Sequence, residues 1–332
     1  MTDQSPLIDA QTQFSQKINF RSLAAEEVSL ADALGRVSYT DISAPMDSPP
    51  YARAIVEGFL VNTAETKKAD ENAAVSFAIS GEIKPGDESA TPPNSGEGIA
   101  VSTGSLIPSG EFSIVRQWEA KIANDSFSIT RPFPPGFFIE AQGCDIEKDS
   151  NVIKAGEIID PEKIGILASL GIDKVNVACK PHVTLFASGD EVIPHTDAFK
   201  PGYIYDCNSP MLCAAITEAG GIPTMAGIQS DNFERFLTKL KQALEKSDMI
   251  VIAGGTAIGG RDFISDLIRE VGELVQDGVQ MKSGRPLIMG IANGKPMVCV
   301  AGHPPEALRG FRLFGSLAIN CLNGHSLALP ED

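Results

Sequence analysis

Sixteen residues, Asp248 to Phe263 (DMIVIAGGTAIGGRDF), limit the fold more than any other part of this chain. An apolar run of strand length, Met249 to Ala253, gives way to a loop carrying Gly254, Gly255, Gly259 and Gly260. Beyond the loop, Phe263, Ile264, Leu267, Ile268 and Val271 recur at helical spacing. Strand, glycine loop and helix in succession bring backbone N–H groups onto an anion, because glycine permits close approach and a helix N-terminus carries partial positive charge. The loop has neither the G-x-G-x-x-G of a dinucleotide site nor the Lys-Ser/Thr ending of a nucleotide P-loop. By itself it fits either an anion cradle or a tight turn.

The flanking pattern extends this unit. Val183–Ala187, Ile222–Ile228, Pro286–Ile291 and Met297–Val300 read as strands, and Phe233, Phe236, Leu237, Leu240 and Leu244 line one side of a helix. A further helix carries Ala307, Leu308, Phe311, Phe314 and Leu317, and Asn208-Ser-Pro210 reads as a cap opening another. Such alternation predicts an α/β domain with a mainly parallel, doubly wound sheet, whose ligands sit beyond the carboxyl ends of the strands. Upstream the texture differs. Short β-type runs separated by proline- and glycine-rich turns over 55–145 predict a small β-barrel or sandwich. Val28 to Val37 reads as a short helix closing near Gly35, and Pro161 to Gly171 as a helix opening on proline.

At 332 residues, with 43% hydrophobic and 21% charged residues, the chain has the composition of a soluble protein of two or three domains. A formal net charge of −16 disfavours nucleic acid as a partner, since phosphate-backbone binding needs clustered Lys and Arg. The six cysteines are scattered without metal-finger spacing, and no apolar stretch is long enough for a membrane span. The N-terminus lacks the pattern of a signal peptide. Cytoplasm is the expected location, with no membrane partner.

Three loops are expected to meet at the carboxyl edge of the sheet: Ser188-Gly189-Asp190-Glu191, Gly254 to Asp262, and Ala301-Gly302-His303-Pro-Pro-Glu306. Lys282 and Arg285 precede a strand and add two cations. Glycines, cations and a helix N-terminus together suit a phosphate. Asp190 and Asp262 suit Mg²⁺, which takes one or two carboxylates plus substrate oxygens, or else they cap turns. His303 reads as a ligand, as an acid/base group, or as an ordinary loop histidine.

The ordered motifs add to this reading. Ala33-Leu-Gly-Arg-Val37, Ala44-Pro-Met-Asp-Ser-Pro-Pro50, Ser102-Thr103-Gly104, Gly143-Cys-Asp145-Ile146, Ser188-Gly-Asp-Glu191, Tyr205-Asp206-Cys-Asn208, Gly254-Gly255…Gly259…Asp262 and Lys282-Ser-Gly284-Arg-Pro286 follow one another from about Val28 to Leu317. In this order they resemble the molybdopterin molybdenumtransferase family, which includes the gephyrin E domain. The resemblance implies an elongated α+β domain from 1–49 and 148–178, a β-barrel domain inserted at 50–147, and a molybdopterin-binding domain at 179–325. It further implies a homodimer, adenylylated molybdopterin and molybdate as substrates, Mg²⁺ as cofactor, and molybdoenzymes or their chaperones as downstream partners. Carried over residue by residue, it assigns catalytic roles to Asp145, Asp190, Asp262, Lys282 and Glu57. It places Thr103, Ser188, Gly189, Asp206, Gly254, Gly255, Thr256, Gly259, Arg285, Gly302 and His303 around the pterin, with Asp190, Asp262 and Glu306 for the metal.

The departures from the family pattern bear on competence. Its Phe-Asp-Asn-Ser-Ala-Met-Asp-Gly-Tyr-Ala stands here as Tyr51-Ala-Arg-Ala-Ile-Val-Glu-Gly-Phe-Leu60, so one Asp and one Ser become Ala52 and Ala54, and the second Asp becomes Glu57. An acid becomes Lys174, and a serine becomes Glu306, whose charge would repel an oxyanion. Lys174 and Glu306 facing each other in the folded dimer would compensate both changes, whereas Glu306 alone in the anion pocket would count against activity. The family's common C-terminal β domain is expected to be missing. Two functions are therefore expected from the sequence: molybdate insertion with release of AMP, or pterin binding and carriage by a degenerate relative.

Overall fold

The computed structural model describes residues 6–20, 23–230, 232–254, 263–279 and 287–325. The chain divides into two compact units, one of residues 1–41, 153–165 and 173–332, the other of residues 42–152 and 166–172.

The first unit is built on a six-stranded sheet. In chain order its elements are strand β1 (His182–Ser188), helix α1 (Asn208–Glu218), β2 (Ile222–Gln229), α2 (Phe233–Lys246), β3 (Met249–Ala253), α3 (Phe263–Val271), β4 (Glu273–Asp277), β5 (Ile288–Ala292), β6 (Lys295–Val300), α4 (Pro304–Gly310) and α5 (Ser316–Asn323). The spatial order is β2-β1-β3-β6-β5-β4. The first four strands in this order are parallel, and β5 and β4 run antiparallel to their neighbours. All five residues of β3 are buried, as a parallel strand covered on both faces requires.

Alternation along β3 divides the core. Met249, Val251 and Ala253 face a cluster with Leu212, Ile216, Phe311 and Phe314, whereas Ile250 and Ile252 face Phe236, Leu240, Ile264 and Leu267. Helices thus cover both faces, as the sequence predicts. Between α4 and α5 the helix widens to i→i+5 bonding over Phe311–Gly315, and the Phe311 ring lies where a Cβ on Gly315 would be.

The structure adds to the sequence or corrects it at four points. The strands expected at 286–291 and 297–300 are present as β5 and β6, and they pair with each other as an antiparallel hairpin. Its turn is Asn293-Gly294, both residues at positive φ, which is the chemistry of a tight hairpin turn. The edge strand β4 was not foreseen. Val28 is not helical: it lies in the strand Ala25–Ser29, paired antiparallel with Lys174–Ala178, and only a 3-10 turn (Leu30–Asp32) follows. A helix at Pro6–Ser15 escaped notice too, although Leu7, Ala10, Gln11 and Phe14 recur at helical spacing and are buried. The helix expected after Pro161 is present, from Pro161 to Ser169, with Gly171 at φ +73 beyond its end.

The second unit holds a mixed six-stranded sheet, ordered Phe112–Arg116, Gly58–Asn62, Glu97–Val101, Val75–Ile83, Ser126–Ile129 and Lys121–Ala123. Val75–Ile83 and Glu97–Val101 are parallel, and the other pairs are antiparallel. Its two apolar clusters centre on Leu60, Ile99 and Ile114, and on Phe59, Phe77 and Phe127. No helix among the described residues is long and apolar enough to cross a membrane.

Candidate functional site

In the first unit β1, β3 and β6 are adjacent and parallel, so the segments that follow them leave the sheet at one edge. Contact between those segments is close. Gly254 has φ +91, and a Cβ there would lie 2.6 Å from the Ser188 carbonyl oxygen. Its N–H donates to Val300 O at 3.1 Å. A Cβ on Gly302 would stand 3.8 Å from Gly254 Cα. Glycine at 254 is thus required by backbone conformation and by proximity together.

The segment after β1 returns to the same place. Gly189, with φ +145, donates to Gln229 O, and Val192–Ile193 pairs in parallel with Ile204–Tyr205. Asp206 N–H donates to Ile193 O, and Asp206 Oδ1 accepts from Ser209 N–H at 2.9 Å. Asp206, not Asn208, is therefore the side chain that caps α1. Asn208 instead donates from Nδ2 to Gly302 O at 2.7 Å, tying the start of α1 to the segment after β6. The sequence reading recognised Asn208 only as a cap. Nothing in local spacing reveals a bond across 94 positions.

His303 precedes α4 at its N-cap position without capping it, and its Nδ1 lies 3.9 Å from Glu306 Oε2. Lys174 does not meet Glu306: its Nζ is 3.0 Å from Glu27 Oε1 across the Ala25–Ser29/Lys174–Ala178 pair, which also raises the lysine's pKa. Within one chain Lys174 and Glu306 therefore do not pair. Ser188 ends β1, Gly189, Asp190, Asp206, Gly254, Gly302 and His303 lie in the segments following β1, β3 and β6, and Glu306 lies in the first turn of α4. Gly255, Thr256, Gly259, Asp262, Lys282 and Arg285 lie outside the described residues.

The remaining candidates, Glu57, Thr103 and Asp145, are exposed residues of the second unit. Asp145 acts on the charge of Arg53, and Thr103 adjoins the Gly104 that donates to Ala54 O. The two-residue strand Arg53–Ala54 pairs with Ile139–Glu140 and bridges to Leu106, and Ala54 exchanges backbone hydrogen bonds with Gly104 and Ser105. Arg53 binds the Glu140 carboxylate, and its charge is further supported by Asp145. Sequence reading passed over Arg53. Its signal was a cation standing where the family pattern has asparagine.

Glu140, Cys144 and Asp145 bring three potential ligand atoms within 4.8 Å of one another, the one such group among the described residues. Desolvation, then the charges of Asp145 and Glu140, push the Cys144 thiol above its ordinary pKa, and Arg53 already occupies Glu140. A protonated thiol and an engaged carboxylate make a poor metal site. None of the six cysteines is in a disulfide, and Cys144 and Cys207 are exposed.

Comparison with known proteins adds to this geometry. Residues 6–171 match the family model described as the MoeA N-terminal region (domain I and II), and residues 184–320 match the probable molybdopterin binding domain. The chain is 28% identical over 305 residues to a molybdopterin molybdenumtransferase of Staphylococcus epidermidis, covering 92% of this chain and 73% of that one. A Staphylococcus aureus protein of the same name is 27% identical over 311 residues, covering 93% and 74%. The crystal structure of a molybdopterin biosynthesis MoeA protein from Pyrococcus horikoshii superposes with a TM-score of 0.81 at 32% identity, covering 97% of this chain and 81% of that one.

Proposed function

The chain belongs to the MoeA family, and from that premise we propose that it is a molybdopterin molybdenumtransferase, inserting molybdate into adenylylated molybdopterin and releasing AMP. The observation that carries this reading is the convergence of Ser188, Gly254 and Gly302 at one sheet edge, in a chain that matches named transferases over 92% of its length. That extent of match favours the enzyme over a degenerate carrier.

Each group then has a physical task. The main chain around Gly254 and Gly302 approaches the phosphate closely because no Cβ intervenes. Asp190 and Glu306 are hard oxygen donors of the kind Mg²⁺ takes, and the ion, when bound, supplies neutralising charge to the phosphoryl oxygens. His303 Nδ1 lies 3.9 Å from Glu306, the acid that stands where the family pattern has serine. Lys282 and Arg285 supply cationic charge for phosphate and leaving AMP, Gly255, Thr256 and Gly259 serve the pterin, and Asp262 is a further oxygen donor for the metal. From the second unit, Glu57, Thr103 and Asp145 act on the substrate of a partner chain, with Arg53 orienting the acids beside Asp145.

This reading includes the three-part layout of 1–49 with 148–178, an inserted β-barrel at 50–147, and a pterin-binding domain at 179–325. It includes a homodimer in the cytoplasm and hand-over of the finished cofactor to molybdoenzymes or their chaperones. The test is reconstitution: the purified protein, given adenylylated molybdopterin, molybdate and Mg²⁺, should yield cofactor that activates a pterin-free molybdoenzyme. Tight pterin binding without activation would leave only carriage.

A further inference from the structure

The sheet of the first unit has a second edge, at the amino ends of its parallel strands, and a cavity opens there. Lys180 leads into β1, and Ala219-Gly220 closes α1 and leads into β2. The cavity they line therefore lies at the opposite end of the sheet from Ser188, Gly254 and Gly302. Its volume is about 610 Å³, the size of a site for a small organic molecule. One wall is the last helix. Arg312 stands in the stretch that widens to i→i+5 bonding, an irregularity frequent at functional sites, and Ser316, Asn320 and Asn323 follow it along one face. The facing wall is aliphatic: Leu34 and Ile158, 60% and 36% exposed, stand beside Val37 and Ala178. No aromatic side chain among the described residues lines the cavity.

Charge narrows the choice of ligand. Arg36 is engaged within the fold, where it binds the Glu26 carboxylate and donates to Ala178 O at 2.7 Å. Arg312 approaches Glu218 only to 3.6 Å, and both side chains are mostly exposed, so this pairing is weak. Lys180 is exposed and has no hydrogen-bond or ion-pair partner among the described residues. Lys180 and Arg312 less Glu218 (two cations less one acid) leave a single positive charge at the cavity, in a chain that is otherwise strongly acidic. A ligand with one negative charge and an aliphatic body suits both walls: its charge faces Lys180 and Arg312, and its body covers Leu34 and Ile158. A heteroaromatic ring would find no stacking partner there, and a multiply charged phosphate would be repelled by Glu218.

We propose that this amino-edge cavity is a binding site for a small aliphatic carboxylate, separate from the anion-binding edge of the same sheet. The inference stands independently of the molybdenumtransferase reading.

Calorimetric titration of the full chain with octanoate, octylammonium and 1-octanol tests it. Octanoate is expected to bind at least about tenfold more tightly than the other two. Lys180→Gln and Arg312→Gln should each remove most of that preference, and Lys180→Arg should retain it. Leu34→Glu, on the exposed wall, should abolish octanoate binding without lowering the thermal midpoint. Failure of octanoate to bind, or equal binding of all three probes, would overturn the proposal. Lys180 and Arg312 also stand near the carboxyl end of α1, where cations stabilise a helix without any ligand. Were that their whole role, the Gln variants would lower the thermal midpoint and leave octanoate binding unchanged, and this result would overturn the proposal as well.

Discussion

Single residues fix two features of this protein that substitution can probe. Glu119 accepts from Arg116 Nε at 2.7 Å and from Arg131, and these guanidiniums, Arg116 foremost, hold its carboxyl down at about 2 against an ordinary 4.5. Both arginines also lie over aromatic rings, Arg116 at 4.9 Å from Trp118 and Arg131 at 4.0 Å from Phe133, so the ion pairs are braced by packing. A depressed carboxyl stabilises the fold above its unfolded pKa, and that contribution fades as pH falls from about 4.5 to about 2. Glu119→Gln should therefore cost about 1–2 kcal/mol at neutral pH, a figure reduced for the half-exposed Arg131, and should flatten the acid limb of stability in that window. Urea unfolding across pH 2–7 measures both effects. Gly254→Ala places a methyl 2.6 Å from Ser188 O at φ +91. It should lower stability by about 1–3 kcal/mol and weaken pterin binding, as thermal unfolding and titration would show. An unchanged affinity would separate Gly254 from the ligand.

At the scale of elements, legibility followed the range of the interaction. Strand β3 and the helices α2 and α3 were plain because their apolar residues repeat with the element's own period. A mainly parallel sheet leaves the direction of the β5–β6 pair open, and Asn293-Gly294 carries the signal of its tight turn. At Val28 the strand depends on a partner at Val175, far along the chain, and local spacing does not show it. Site residues divided in the same way. Gly254 announced itself by its place after a strand, whereas the Asn208–Gly302 bond and the Arg53–Glu140 pair exist only in the folded chain. The Pro6–Ser15 helix was legible but unread, and its contribution is measurable. Phe14 is fully buried, with its ring 6.3 Å from that of Phe314. Phe14→Ala should cost about 3–5 kcal/mol in denaturant unfolding. A loss under about 1 kcal/mol would mean that this helix contributes little to the unit's core.

For the whole molecule, an acidic chain of net charge −16 is assigned two anionic substrates. On the proposed site, association relies on local main-chain donors and a few cations rather than on the general field, and it should slow little with added salt. Stopped-flow binding of adenylylated molybdopterin between about 50 and 500 mM salt would reveal a steep dependence if long-range attraction governed encounter instead. The substitutions at 52, 54, 174 and 306 leave the central question one of turnover. The direct measurement is release of AMP from adenylylated molybdopterin by the purified protein with Mg²⁺, with and without molybdate. Repeated, molybdate-dependent release is predicted; retention of the adenylylated pterin with no AMP formed, in either condition, would contradict it.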